Sequence, residues 1–393
     1  MEKNKETDEI EKIGEAEKKE YQATLLKNRV QKKFKTFRKW ARKNLVTCFR
    51  LYDRDIPEIP LAIDLYEFLP DEICSAEKAR AFVLSQAQDE SQNVPGAAQK
   101  RLSRTYLKIF LYERPPQHQK SESEEERWLS EIFDSLSSSL GINSAHIVCK
   151  TRRHEKGGAQ YSKNSSGKKA AISARQNSSP QIAGNVFENG SIFFVNLSDY
   201  LDTGLFLDMR GMRALVKKCS QGKRVLNLFC YTSSFSVAAA AGGAAAIESV
   251  DLSNTYLEWS KKNFFLNGIS GKSEFQFFRS DVFKFLEEAI RGRKKFDIII
   301  LDPPTFSNSK KTRSDLDLNR DWIALANLCL KVLDENGALY FSTNSRRLSF
   351  DKNFLEEGAR LETREITQET IDADFERKRS HRAWEIKMSQ HKH

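Results

Sequence analysis

Cysteine is sparse and dispersed. Cys48, Cys74, Cys149, Cys219, Cys230 and Cys329 contain no C-x-x-C pair, which excludes a zinc ribbon and a disulfide-stapled secreted domain, predicts no metal site and suits the reducing cytoplasm. A secretory signal is lacking too: the start Met1-Glu2-Lys3-Asn4-Lys5-Glu6 is charged from its second residue, with no apolar run behind it. The one long uncharged stretch, Val225 to Ile247, has the length of a membrane span. Asn227, Tyr231, Thr232, Ser233, Ser234, Ser236, Gly242 and Gly243 interrupt it, so it reads as a strand running into an alanine-rich helix, and no membrane partner is expected. No repeat of fixed period occurs. With 39% apolar and 30% charged residues over 393 positions, the chain reads as globular and long enough for two or three domains.

Acid is missing from one segment. From Tyr21 to Arg50 there is no Asp or Glu and there are ten Lys or Arg, as many as the net +10 of the whole chain. The expected partner is polyanionic. Residues 1–24 mix Glu and Lys with hardly any apolar residues and predict a disordered or loosely helical tail. Residues 25–46 predict a basic amphipathic helix, with Val30, Phe34, Phe37, Ala41 and Leu45 at spacings of three and four. Lys32, Lys33, Lys35, Arg38, Lys39, Arg42 and Lys43 are its candidate phosphate contacts; the bland alternative is a packing helix with a solvated face. The stretch Arg152 to Asn185 is rich in Gly, Ser, Lys and Arg, with Glu155 its only acid. It predicts a flexible loop over 152–185, and Arg152 and Arg153 join the candidate contacts.

Residues 47–190 predict a small α+β domain for substrate binding. Short strands flank Pro57 and Pro60, Thr105 to Tyr112 is a further strand, Glu125 to Leu140 is helical and Ala145 to Thr151 extended. From residue 191 to 393 strands and helices alternate. Arg224 to Phe229, Ala244 to Asp251, Glu274 to Ser280, Phe296 to Leu301 and Ala338 to Thr343 read as strands, separated by helical runs. Such spacing predicts an α/β class, with a doubly wound, mostly parallel Rossmann-like sheet whose ligands sit at the carboxyl ends of the strands.

Those strand ends carry the candidate chemistry. The first junction, Asn227-Leu228-Phe229-Cys230-Tyr231-Thr232-Ser233, is not a G-x-G-x-x-G turn, which disfavours a phosphate-bearing dinucleotide. The second strand ends at Asp251-Leu252-Ser253, an acid placed to accept from a ribose diol, although a helix N-cap would use the same residues. Asp281-Val282 follows the third strand, where an acid can accept from an adenine amine. The fourth ends Asp302-Pro303-Pro304-Thr305-Phe306; two prolines without ladder donors fix a rigid turn and hold Asp302 beside the ligand. In series these ends describe an adenosyl pocket.

The runs Arg224 to Ala246, Asp251 to Trp259 and Asp302 to Lys310, with Asn196 to Asp208 and Arg50 to Glu58 upstream, resemble the class I S-adenosylmethionine-dependent methyltransferases. More narrowly they resemble the RlmK family of 23S ribosomal RNA guanine-N7 methyltransferases, which forms the C-terminal half of the fused RlmKL proteins. The resemblance covers roughly residues 27 to 390. It implies S-adenosyl-L-methionine as cofactor and 23S ribosomal RNA, or a large-subunit assembly intermediate, as partner. A separate guanine-N2 methyltransferase is expected beside it, since this chain lacks the length for that half of RlmKL. Asn227, Phe229, Tyr231, Thr232 and Ser233 would line the methionine part, Asp251, Leu252 and Ser253 the ribose, and Asp281 and Val282 the adenine. Asp302, Pro303, Pro304 and Phe306 would be the catalytic group at the transferred methyl. Thr203, Phe206, Asp208 and Arg210 would cap the methionine moiety, with Arg210 pairing its carboxylate.

Ser233 departs from the family's Tyr-Thr-Gly. If its φ is positive, a side chain there costs about 1 kcal/mol and weaker cofactor binding is expected. The related RlmI family makes 5-methylcytosine and keeps a cysteine after the fifth strand. Here that strand ends Phe341-Ser342-Thr343-Asn344-Ser345, so the thiolate needed to activate pyrimidine C5 is absent and the resemblance points to the N7 branch. A 5-methylcytosine or exocyclic-amine enzyme of the same fold, or a silent RNA-binding assembly factor, are the alternatives.

Overall fold

The computed structural model describes residues 2–92, 94–152, 181–307, 315–356, 358–376 and 380–389. Helix α1 (Glu2–Asn44) is about 65 Å long at 1.5 Å per residue. The helix runs from Glu2 into the basic segment without a break at the boundary expected at 24/25, so of the two expectations for 1–24 the structure has the helical one. Leu26, Val30 and Ala41 are buried and Phe34 and Phe37 pack beside them, so the three-and-four spacing defines the docked face. The helix ends where Leu45 turns left-handed (φ 52°) and Val46 N–H donates back to Ala41 O at 2.9 Å.

Four strands, β1 (Cys48–Asp53), β2 (Leu61–Glu67), β3 (Thr105–Tyr112) and β4 (Ile147–Arg152), form one sheet in that order. Between them run α2 (Ala76–Ser91), α3 (Ala97–Leu102) and α4 (Glu122–Leu140), the last begun by a Ser121/Glu124 capping box. One sheet face, with Phe49, Leu51, Ile63, Leu65, Leu107 and Ile109, packs against α1 and α4. The hairpin β5 (Ala183–Glu188) and β6 (Ser191–Asn196) spans the boundary expected at 190/191 and joins Cys48, Tyr66 and Val148 to the second half of the chain.

That half contains α5 (Arg210–Cys219), β7 (Arg224–Leu228), α6 (Ser234–Ala241), β8 (Ala246–Asp251), α7 (Asn254–Leu266), β9 (Phe275–Arg279), α8 (Val282–Arg291) and β10 (Phe296–Leu301). A two-residue ribbon, β11 (Phe306–Ser307) with β12 (Leu316–Asp317), then leads to α9 (Leu318–Val332), β13 (Leu333–Thr343), β14 (Leu361–Glu365), α10 (Thr367–Thr370) and β15 (Arg382–Met388). The seven-stranded sheet has the order β14-β15-β13-β10-β7-β8-β9. Strands β9, β8, β7, β10 and β13 are parallel, and β15 pairs antiparallel with β13 and with β14. Apolar residues cover both faces: Leu226, Leu228, Ile299 and Leu301 point to α8 and α9, while Val225, Ile247, Ile298 and Ile300 point to α5 and α6. This is the expected doubly wound sheet. Its strand order reverses direction between β7 and β10, which opens the crevice there.

A buried charge network ties the halves together. The guanidinium groups of Arg210 and Arg213 both bind Glu188. Arg210 also reaches Asp374 (3.0 Å), Asp372 (3.2 Å) and Cys48 O (2.8 Å). Asp374 in turn accepts from Arg50 N–H at 3.0 Å.

Candidate active site

The loop after β7 is built from alternating left-handed residues: φ is 53° at Phe229, 51° at Tyr231 and 58° at Ser233. Each costs strain for a residue with a Cβ, and local bonds hold the shape. Tyr231 N–H donates to Asp251 Oδ2 (2.9 Å), Thr232 Oγ1 to Gly204 O (2.6 Å), and Ser233 Oγ to Ser260 Oγ (2.8 Å). Gly204 itself has φ 94°, and a Cβ there would lie 2.1 Å from the Trp259 ring, so the tryptophan fixes a glycine at that turn.

Asp251 ends β8 half-buried. Besides Tyr231 N–H it accepts from Ser253 N–H at 2.8 Å, while burial pushes its acid constant up to about 6 against those stabilising donors. Ser253 caps α7 through Tyr256 N–H, and Asp281 caps α8 through Lys284 N–H at 3.1 Å. Capping occupies one oxygen of Asp281, and Val282 beside it is buried.

Asp302 leaves β10 beside β13, whose Phe341 lies level with Leu301. Ser342 Oγ donates to its Oδ1 at 2.7 Å. Burial and the like charge of Asp208 push its acid constant up to about 6. Pro303 is buried and Phe306 is 37% exposed on the same edge. Phe206 stands over Tyr231 with ring centroids 5.2 Å apart, and Tyr256 meets Tyr231 edge-on at 4.6 Å. The strand ends therefore bring together Phe206, Tyr231 and Asp251, with Asp208 close enough to Asp302 for its charge to act there, while Phe229 packs against the core beneath.

Other expected residues do not face it. Arg210 is 2% exposed and its donors are taken by Glu188, Asp372, Asp374 and Cys48 O. The expectation that it pairs a cofactor carboxylate is corrected: those acids hold it between the two halves of the chain. Asn227 is buried and donates to Ser236 Oγ at 2.8 Å, inside the layer between sheet and α6. Thr203 is buried against Tyr66, hydroxyl to hydroxyl at 3.1 Å. The side chains of Thr232 and Ser233 are likewise buried and turned inward. Ser342, which orients Asp302, was not anticipated. Its signal is a polar residue that follows the apolar run Ala338–Phe341 near the end of β13.

The chemistry of these groups fits an adenosyl sulfonium. Carboxylates follow β8, β9 and β10 on one edge of the sheet, with the aromatic Phe229–Tyr231 turn of β7 between β10 and β8. The family model described as S-adenosylmethionine-dependent methyltransferase matches residues 163–372. The chain belongs to that family. Within it, the chain is 39% identical over 363 residues to the Ribosomal RNA large subunit methyltransferase K of Neisseria meningitidis, covering 92% of this chain and 86% of that protein. It is 37% identical to the Ribosomal RNA large subunit methyltransferase K/L of Pseudomonas fluorescens, and spans only 40% of that protein's length. A solved methyltransferase complexed with SAH superposes with a TM-score of 0.62 at 23% identity, covering 93% of this chain and 82% of that one, and shares the fold. These relatives place the chain among the RlmK-type methyltransferases, whose cofactor is S-adenosylmethionine.

On the RNA side, the seven basic candidates of α1 divide. Lys32, Lys35, Lys39 and Lys43 are exposed. Lys33 instead pairs with Asp55 at 2.7 Å, and Arg38 and Arg42 both pair with Glu90. Arg152 binds Asp202 and lies over the Phe110 ring at 5.1 Å. Arg153 and most of the 152–185 stretch lie outside the described residues. Among the described residues no group of acids, histidines and cysteines is placed to hold a metal, and no helix is long and apolar enough to cross a membrane.

Proposed function

We propose that this chain transfers a methyl group to N7 of a guanine in large-subunit (23S) ribosomal RNA. The observation that carries the reading is the Asp302-Pro303-Pro304 end of β10, with its carboxylate anchored by Ser342 and no usable thiol beside it. Cys230, the cysteine nearest the crevice in sequence, is buried and its thiol is pushed well above its usual range by desolvation. A pyrimidine C5 mechanism therefore lacks its nucleophile. The relatives named for large-subunit ribosomal RNA supply the substrate class, and the RlmK resemblance supplies N7.

Bound S-adenosylmethionine supplies an electrophilic methyl on a sulfonium. Guanine N7 carries an in-plane lone pair that is unprotonated at neutral pH and loses no proton on methylation, so the chain needs no general base. Its task is to hold N7 in line and exclude water. Asp302, its acid constant pushed up to about 6 by burial, stabilises the cationic purine product in its ionised form. Asp251 offers its remaining lone pairs to the ribose, and Tyr231 and Phe206 wall the methionine end.

Because the major groove of A-form RNA is too deep and narrow for side chains, the guanine must leave its stem. Phe306, exposed at the rim, offers a ring for stacking. The lysine stripe of α1 supplies sequence-blind phosphate contacts. Loss of one 7-methylguanosine from large-subunit RNA of gene-deleted cells, measured by mass spectrometry of nucleosides, is the expected result; an unchanged content sinks the reading. The silent-factor alternative rested on Ser233. Its side chain is turned into Ser260, so it gives no steric reason for lost cofactor binding.

A further inference from the structure

The turn after β13 opens on the same edge as Asp302, and methyl transfer to N7 does not by itself require it. Asn344 in this turn is exposed. Its Oδ1 accepts from the Thr305 hydroxyl, which comes from the Asp302-Pro303-Pro304-Thr305 turn on the neighbouring strand. That contact occupies the carbonyl of the amide and presents Nδ2 as a donor. The turn beneath is fixed by hydroxyls: Ser345 N–H donates to Thr343 Oγ1 (3.0 Å), Ser345 Oγ to Asn319 Oδ1 (2.8 Å) and Arg347 N–H to Ser345 Oγ (3.3 Å). Ser342 occupies Oδ1 of Asp302, and among the described residues no other donor reaches that carboxylate, so Oδ2 is its open acceptor.

The two turns are thus tied twice, Asn344 to Thr305 three residues after Asp302 and Asp302 to Ser342 two residues before Asn344, and together they carry an amide donor and a carboxylate acceptor on one edge of the sheet. Guanine's pairing edge carries the complementary order, the O6 acceptor next to the N1–H donor. Adenine carries the reverse, an amine next to a bare ring nitrogen. We infer that Asn344 is a specificity-determining residue, its amide donating to O6 of the target guanine while Asp302 accepts from N1–H. The two side chains then stand in for the pairing edge of cytosine and leave N7 free for the methyl. This rests on the guanine-N7 reading and adds how the base is chosen. A base taken out of its stem has lost its partner, and a polar site discriminates by leaving the wrong base's groups unpaired.

The test uses the full chain and large-subunit RNA from gene-deleted cells, with 7-methylguanosine formation read by mass spectrometry and S-adenosylmethionine affinity by calorimetry. Asn344→Ala should lower kcat/KM for RNA roughly 10- to 100-fold, the range for one base-specific contact, with cofactor affinity unchanged within about twofold. Asn344→Asp, which turns an acceptor toward O6, should fall below the alanine variant. Thr305→Val should lose activity in the same direction and Thr305→Ser should keep it. Asn344→Ala at more than half of wild-type kcat/KM, or Asn344→Asp equal to or above Asn344→Ala, overturns the role of Asn344. A wild-type enzyme that forms a different methylated nucleoside overturns the guanine-N7 reading itself, and this pairing with it.

Discussion

The lysine stripe of α1 offers a quantitative test because the structure separates it from its neighbours. Lys32, Lys35, Lys39 and Lys43 follow one another at spacings of three and four and are exposed, whereas Lys33, Arg38 and Arg42 turn toward Asp55 and Glu90. Each single-strand phosphate contact contributes about 0.7 to the slope of log affinity against log salt, so changing all four lysines to Gln should flatten that slope by about 2.8. Over a fourfold rise in salt, wild type should then lose roughly 50-fold more affinity than the variant. The assay is RNA binding at several salt concentrations, with S-adenosylmethionine affinity as the control for folding. Arg38→Gln with Arg42→Gln is the contrasting pair. It removes two of the three arginines around Glu90, and should lower thermal stability while leaving the slope in place. Coincident slopes for wild type and the four-lysine variant refute the phosphate role and leave α1 as a packing helix with a solvated outer face.

Further outcomes follow from the crevice. Asp302→Ala should abolish methyl transfer with the fold retained, and turnover above a tenth of wild type removes Asp302 from the catalytic group; in wild type, transfer should decline as pH falls through about 6 and the carboxylate takes up a proton. Asp251→Ala should weaken S-adenosylmethionine binding by about 1.5 to 3 kcal/mol, roughly 10- to 150-fold, and an unchanged dissociation constant in calorimetry reassigns the residue to shaping the Tyr231 and Ser253 backbone. Ser233→Gly exchanges relief of left-handed strain for loss of the bond to Ser260, so stability should stay within about 1 kcal/mol and cofactor affinity within about twofold of wild type. A tighter complex by tenfold or more restores the serine as an obstacle to the cofactor.

Much of the fold was legible because buried parallel strands read as apolar runs. Phe296–Leu301 and Thr105–Tyr112 lie where the sequence sets them, and the acids at the ends of β8, β9 and β10 fall on one edge because parallel strands share a direction. The sequence alone also located the aromatic stripe of α1, since a 3.6-residue period fixes which side chains share a face. It could not tell which charges face solvent. Arg38, Arg42 and Arg210 look like free cations in a linear chain, and their acids, Glu90, Glu188, Asp372 and Asp374, lie 22 to 164 residues away. Only folding brings a carboxylate near enough for attraction to outweigh the desolvation of both groups. The same limit hides Ser342 and Asn344, whose partners Asp302 and Thr305 lie in the turn after β10. A hydrogen bond across two parallel strands depends on their register, and that register is set by the packing of helices against the sheet rather than by any local run of residues.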